Sequence, residues 1–355
     1  MERSEELTST LSRLLRPGMG LLAADESLTT IERRFAAVGL ESTPSSRRAY
    51  RELLVTAPGI GEQISGVILF DETIRDRASN GTPFPEVVRQ RGAVPGVKVD
   101  LGAKPLALAP DESVTEGLDG LRDRLEEYRS LGARFTKWRA VLKVGPGTPS
   151  DDCIRVNVHA LARFAALSQE AGLVPIVEPE VVMDGDHSID ATFEVTLAAQ
   201  RALFVELVAQ RVALEHILLK PNMVVAGRER AEIPSVAEVA AATVRCLRAA
   251  VPPIVPGIVF LSGGQTPEEA TVHLNAMHAL GPHPWMLSFS FARALQDPAL
   301  AAWRGDVLNV RAAQDAFAKR ARLNGLAQQG RYDGASLEGH SLSVPGSSET
   351  AATPA

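Results

Sequence analysis

The sequence predicts an α/β fold, a (β/α)8 TIM barrel, on three observations. Short apolar or β-branched runs recur eight times, each followed by a turn and a longer stretch of helical periodicity. From Leu21 to Arg322 the repeat averages about 38 residues per strand and helix, a spacing that suits a decorated eightfold barrel. Polar residues recur toward the C-terminal ends of many different runs, and no GxGxxG follows the first, which disfavours the competing doubly wound open sheet.

In order, the strand-like runs are Leu21–Asp25, Gly66–Phe70, Gly96–Asp100, Phe135–Leu142, Val174–Glu180, Ile217–Met223, Ile258–Ser262 and Trp285–Phe291. Helices are expected between them, such as Thr115–Leu131, where Leu118, Leu121, Leu125 and Tyr128 share a face, and the long stretch Ala191–Leu214. Residues 1–334 read as a single barrel domain. The last twenty residues, SLEGHSLSVPGSSETAATPA, have no aromatics and are rich in Ser, Thr, Pro and Gly, so they bury too little surface to order themselves; 335–355 read as a flexible tail.

Composition narrows the function classes. The 355 residues are 45% apolar and 23% charged, enough hydrophobe for a large core. The net charge of −6, with no basic stripe, argues against nucleic-acid binding, so an anionic ligand must be met by a few placed cations. The uncharged run Ala249–Pro267 has the length of a membrane span but carries Pro252, Pro253, Pro256 and Gly263-Gly264, and no membrane segment is expected. Two cysteines, Cys153 and Cys246, in no CxxC pattern, and an amino terminus without an apolar core predict a reducing, cytoplasmic setting. The seven histidines form no HExxH, so no metal centre is expected.

Strand side chains alternate sides, so Lys137 and Arg139 of FTKWRAVL share one face, as do Glu178 and Glu180 of IVEPE. Inside a barrel such charges either form a structural ion-pair layer or do chemistry. The sharpest segment is HILLKPNMV, where Lys220 ends an apolar run and Pro221 helps stop the strand. Burial there disfavours the ammonium, as does a second cation such as Lys137, and a neutral amine can form a Schiff base with a ketone. Imine chemistry needs a neighbouring acid/base. Glu178 and Glu180 supply carboxylates which, if they crowd each other, raise one pKa toward neutrality; alternatively they merely balance Lys137 and Arg139.

Phosphate recognition is suggested by LSGGQTPEE, where Ser262, Gly263 and Gly264 follow a strand and precede a helix starting near Thr266. Arg293, after the eighth strand, adds weight, because barrels often hold phosphate between the loops after strands seven and eight. Asp25 and Ser27 end the first strand in LLAADES, and Lys98 ends the third; Asp25 reads equally as a helix N-cap.

Taken together, LLAADES, GVILFDET, GTPFPEV, PGVKVD, TKWRAVLKVG, PIVEPE, LLKPNM, FLSGGQ and SFSFARALQ resemble the class I, Schiff-base fructose-1,6-bisphosphate aldolases, in family order and with nearly family spacing from about Pro17 to Tyr332. The resemblance implies a metal-independent barrel lyase, without a cofactor, that reversibly cleaves fructose 1,6-bisphosphate into dihydroxyacetone phosphate and glyceraldehyde 3-phosphate. It makes Lys220 the Schiff-base lysine, Lys137 the cation assisting carbinolamine chemistry, Glu178 the acid/base with Glu180 beside it, and Asp25 the carboxylate that holds the lysine and helps carbon–carbon cleavage. It assigns Ser262, Gly263, Gly264, Ser290 and Arg293 to the ketone-side phosphate, and Ser27, Arg34, Lys98 and Arg139 to the distal end of the sugar. It also implies a sugar-phosphate substrate as the ligand and a homotetramer.

Three positions depart from the family pattern. The last tyrosine is Tyr332, whereas many eukaryotic members end in a tyrosine; Phe291-Ala292 stands for the common Tyr-Gly; and Leu28-Thr29 replaces Thr-Gly after the ADES motif. Two other classes remain to be separated from a lyase. A barrel glycosidase would use Glu178 and Glu180 as its pair but leave Lys220 unexplained, and a non-catalytic scaffold would have lost a catalytic position.

Overall fold

The structure, a computed structural model, describes residues 2–334; the segment 335–355 expected as a tail lies outside the described residues. Among the described residues ten strands occur in chain order: β1 (Gly20–Ala24), β2 (Ile64–Leu69), β3 (Val94–Lys98), β4 (Ala103–Pro105), β5 (Ser113–Thr115), β6 (Phe135–Lys143), β7 (Val174–Val182), β8 (Leu218–Leu219), β9 (Gly257–Phe260) and β10 (Met286–Phe291). Eight of them pair in parallel around a closed barrel in the order β1-β10-β9-β8-β7-β6-β3-β2, with β2 returning to β1. All eight expected runs therefore supply a barrel strand. The sixth is much shorter than the expected Ile217–Met223, because Pro221 has no N–H with which to continue the ladder.

Period-two alternation builds two separate cores. On β6, Phe135 enters the apolar barrel floor, whereas Trp138 turns outward and stacks on Phe164 of the helix Asp151–Glu170, ring centroids 5.7 Å apart. The inward side of β7 runs Val174, Ile176, Glu178, Glu180; that of β1 runs Leu21, Ala23, Asp25; β8 contributes Leu218 and then Lys220. Each inward face thus changes from apolar to charged toward the C-terminal end of its strand. Gly96 on β3 has no room for a side chain, since a Cβ there would lie 2.4 Å from the Phe135 ring.

The helix Glu2–Leu14 closes the opposite end. Leu7, Leu11 and Leu14, at spacings of four and three, are buried in the same floor cluster as Leu21, Phe135 and Leu218. Neither this plug nor the antiparallel ribbon β4–β5 was anticipated. The ribbon also shortens the expected helix from Thr115: Thr115 pairs with Ala103, and the helix runs Leu121–Ser130. The helix expected over Ala191–Leu214 spans Ile189–Ala209 and is followed by a 3-10 turn at Leu214–His216. Among the described residues no helix is long and apolar enough to cross a membrane.

Candidate active site

At the C-terminal mouth of the barrel a cavity of about 840 Å³ gathers side chains from seven of the eight barrel strands or the loops that follow them. Asp25, Ser27 and Arg34 come from the chain after β1, Lys98 from β3, Lys137 and Arg139 from β6, Glu178 and Glu180 from β7, and Lys220 from the end of β8. Ser262, Gly263 and Gly264 follow β9, Ser290 lies on β10, and Arg293 begins the helix Arg293–Trp303. Every residue that the sequence analysis assigned to catalysis or substrate binding lines this one cavity.

At its base lies a chain of ion pairs. Lys137 Nζ is 2.6 Å from Asp25 Oδ2 and 3.0 Å from Glu178 Oε2, and Lys220 Nζ is 3.1 Å from Glu178 Oε1. All four residues are buried. Burial alone would push the Asp25 carboxyl up, but the charges of Lys137, Lys220 and Lys98 outweigh it and hold Asp25 well below the usual carboxylate range. The same balance lowers Glu178, through Lys137, Lys220 and Arg139. Lys137 is the mirror case: burial opposes its charge, and Asp25, Glu178 and Asp100 hold it firmly as an ammonium.

Of the two readings of the Glu178 and Glu180 pair, the ion pairs match the second, in which the carboxylates balance cations: Glu178 is occupied by two lysines, which hold it low, and Glu180 accepts a charge-assisted bond from Arg139 Nε. In the register of β6 against β7 Arg139 stands opposite Glu178 and Val141 opposite Glu180, so the Arg139 side chain reaches one step along β7 to meet Glu180.

On one side of the cavity, the turn after β9 leads into the helix Pro267–His278, capped by Thr266 and Glu269 in a reciprocal box. Arg293 donates to the Gly263 carbonyl, and the Ser290 hydroxyl is buried without a hydrogen-bond partner. On the opposite side Lys98 lies 3.3 Å from Asp100 and 5.8 Å above the Phe70 ring. Arg34 is anchored by Glu26, by Asp297 at 2.9 Å and by Gln296 at 3.1 Å.

Sequence reasoning missed several members. Glu26, directly after Asp25, is a buried hub that pairs with both Arg34 and Arg51; its place inside LLAADES was the available signal. Arg228 also lines the cavity, yet it sits in the charged run GRER, which reads as solvated surface. Among the described residues no group of three or more His, Cys, Asp or Glu side chains could hold a metal ion.

The family model described as fructose-bisphosphate aldolase class-I matches residues 6–344. A probable fructose-bisphosphate aldolase class 1 of Xanthomonas campestris is 56% identical over 331 residues, covering 93% of this chain and 99% of that one. A chloroplastic fructose-bisphosphate aldolase 1 of Arabidopsis thaliana is 47% identical, covering 93% of this chain and 82% of that one. Among solved structures, fructose-bisphosphate aldolase from Plasmodium falciparum, in complex with TRAP and a small-molecule inhibitor, superposes with a TM-score of 0.92 at 46% identity, covering 94% of this chain and 97% of that one.

Proposed function

The chain belongs to the class I fructose-bisphosphate aldolase family, and on that premise we propose how its own side chains carry the reaction. The enzyme is a metal-independent lyase that reversibly cleaves fructose 1,6-bisphosphate to dihydroxyacetone phosphate and glyceraldehyde 3-phosphate through a lysine Schiff base. The observation that carries the assignment of residues is the Glu178 carboxylate placed between the amines of Lys220 and Lys137.

Lys220 passes a proton to Glu178, and the freed amine adds to the C2 carbonyl. Glu178 returns the proton to the carbinolamine hydroxyl, water leaves, and the protonated imine retains the single positive charge that Lys220 began with. Charge at the Glu178 carboxylate is therefore the same before and after. Lys137 remains cationic throughout and stabilises the oxygen as it departs. The C4 hydroxyl then gives its proton to Asp25, the C3–C4 bond breaks, and its electron pair enters the imine to form an enamine while the aldehyde leaves. The proton held by Asp25 then passes to C3, restoring the Asp25 carboxylate and the protonated imine, and addition of one water across that imine releases dihydroxyacetone phosphate and restores Lys220 as it began.

Ser262, Gly263, Gly264, Ser290 and Arg293 bind the ketone-side phosphate, which backbone donors, the buried Ser290 hydroxyl and one guanidinium suit. Ser27, Arg34, Lys98 and Arg139 grip the distal end, Glu180 fixing Arg139 and Glu26 fixing Arg34. Glu180 is thereby a positioning residue rather than a second acid/base. We place the enzyme in the cytoplasm as a homotetramer, which sedimentation of the purified protein tests.

The decisive experiment reduces the enzyme with borohydride in the presence of dihydroxyacetone phosphate and maps the adduct by mass spectrometry. A stable adduct on Lys220 is expected. Absence of an adduct, or its appearance on another lysine, overturns the assignment.

A further inference from the structure

A second guanidinium stands over the Ser262–Gly264 turn. Arg228 belongs to a strap after β8 that is laced to the strap after β7 by three backbone bonds. Gly227 N–H donates to the His187 carbonyl at 2.8 Å, Arg228 N–H to Met183 at 2.7 Å, and Glu229 N–H to Gly185 at 2.9 Å. The lacing is so close that a Cβ on residue 227 would lie 2.3 Å from the Gly185 carbonyl oxygen. Glycine at 227 thus permits the approach that carries Arg228 into the mouth of the cavity.

Once there, the Arg228 guanidinium packs directly on Gly264. A Cβ on Gly264 would meet Arg228 Nη2 at 1.7 Å. Arg228 is exposed, and neither it nor Arg293 has a carboxylate at ion-pair distance among the described residues. Burial and the neighbouring charge of Arg228 outweigh the more distant carboxylates of Asp297 and Glu180 and hold Arg293 below its ordinary value, as expected of two cations brought to one site. The Gly264 N–H meanwhile donates to the thioether of Met183 at 3.1 Å, a weak acceptor that an anionic oxygen outcompetes.

We propose that Arg228 is a binding residue for the ketone-side phosphate, which is held between Arg228 and Arg293 over the Ser262–Gly264 turn and takes the Gly264 N–H from Met183. This deepens the reading given above and rests on it for the identity of the ligand. Two guanidinium groups match the charge of about −1.5 to −2 that a phosphate monoester carries near neutrality. Their planar forks can each engage two of its oxygens.

The test is kinetic, in the condensation direction, with dihydroxyacetone phosphate and glyceraldehyde 3-phosphate varied separately. Arg228→Ala should raise KM for dihydroxyacetone phosphate roughly ten- to a hundredfold, the loss expected for one charged hydrogen bond, and should leave KM for glyceraldehyde 3-phosphate within threefold of its original value. Arg228→Lys should recover part of the loss. Equal effects on both substrates would mean a general disturbance of the straps, and no effect would place Arg228 outside the subsite; either result overturns the proposal. Calorimetric binding of dihydroxyacetone phosphate, read beside borohydride trapping, separates the two readings. Wild-type trapping on Lys220 with unchanged affinity in Arg228→Ala sinks this inference alone, whereas weaker binding in Arg228→Ala supports it even if Lys220 is not the trapped residue.

Discussion

Glu178 Oε1 lies 3.1 Å from Lys220 Nζ, both groups buried at the mouth of the barrel. In the proposed mechanism that contact carries the proton that Lys220 loses before it attacks and the proton that the departing hydroxyl gains. Glu178→Gln keeps the shape and one hydrogen bond but has no basic oxygen to carry a proton. It should cut kcat by about 10²–10⁴-fold, with imine formation, followed by single-turnover borohydride trapping, slowed by the same factor. Imine formation at the original rate would move the proton shuttle elsewhere.

Lys220→Ala removes the proposed nucleophile and should abolish turnover, while circular dichroism and the thermal midpoint show a folded protein, because Glu178 retains Lys137 as its partner at 3.0 Å. Retention of even a tenth of the activity would count against the Schiff-base assignment.

Lys137 is a different case, since Asp25 and Glu178 both lean on it. Lys137→Met leaves two buried carboxylates without their shared cation and should cost about 3–5 kcal/mol, the usual penalty for breaking a buried pair from one side. A urea-unfolding free energy within 1 kcal/mol of the parent, at the same m-value, would show that the cluster tolerates its loss.

Much of this constellation is legible in the sequence because the barrel obeys a period of two. Once Phe135 is placed inside, Lys137 and Arg139 must follow it inward, and Trp138 must face the helices. What periodicity does not convey is stagger between strands. The pairing of Glu180 with Arg139 depends on how far β7 slides along β6, a tertiary quantity with no local signature. The ribbon β4–β5 is hidden for another reason: Ala103, Lys104 and Pro105 are exposed, so no burial pattern marks them. Arg228 escapes notice because its neighbours are charged, and only the lacing of two straps shows that its side chain turns toward the cavity.

The depressed carboxylates set the acid limit of stability. Asp25 lies below its ordinary 3.8, and Glu26 and Glu178 below 4.5, so the folded state binds these protons less readily than the unfolded chain. Stability from the three is complete above those ordinary values and drains away as pH falls below them toward the lower folded values. Burial also holds His187, His273 and His278 below their ordinary 6.5, so the urea midpoint should decline gently as pH falls from 7 to about 5 and drop steeply below about 4. Glu26→Gln, which removes one such group, should shallow the drop; an unchanged slope would show that other carboxylates set it.

Both thiols are buried, and burial pushes Cys246 up to about 12, with Cys153 also raised. Only a thiolate attacks an aromatic disulfide reagent. Native protein at pH 8 should therefore stay unlabelled over minutes, with both cysteines reacting after denaturation. Prompt labelling of native Cys246 would reveal an opening of the helix Val236–Ala250 that the packing does not suggest.

Arg293 begins the helix Arg293–Trp303 and donates to the Gly263 carbonyl, so its guanidinium is tied to the turn proposed to meet the phosphate. Its hydrogen bond is to a neutral carbonyl, and on the proposed assignment substrate supplies the anion it lacks. Arg293→Ala should weaken binding of fructose 1,6-bisphosphate by about 1.5–3 kcal/mol, the range for a charged hydrogen bond. The loss should appear as a rise in KM of roughly ten- to a hundredfold that grows smaller as salt is added, since part of the attraction is screened coulombic force. Replacement by lysine should restore charge but not the two-pronged grip, and so recover the salt dependence before the affinity. An unchanged KM in the alanine variant would remove Arg293 from the phosphate site and leave the Gly263 carbonyl as its only purpose.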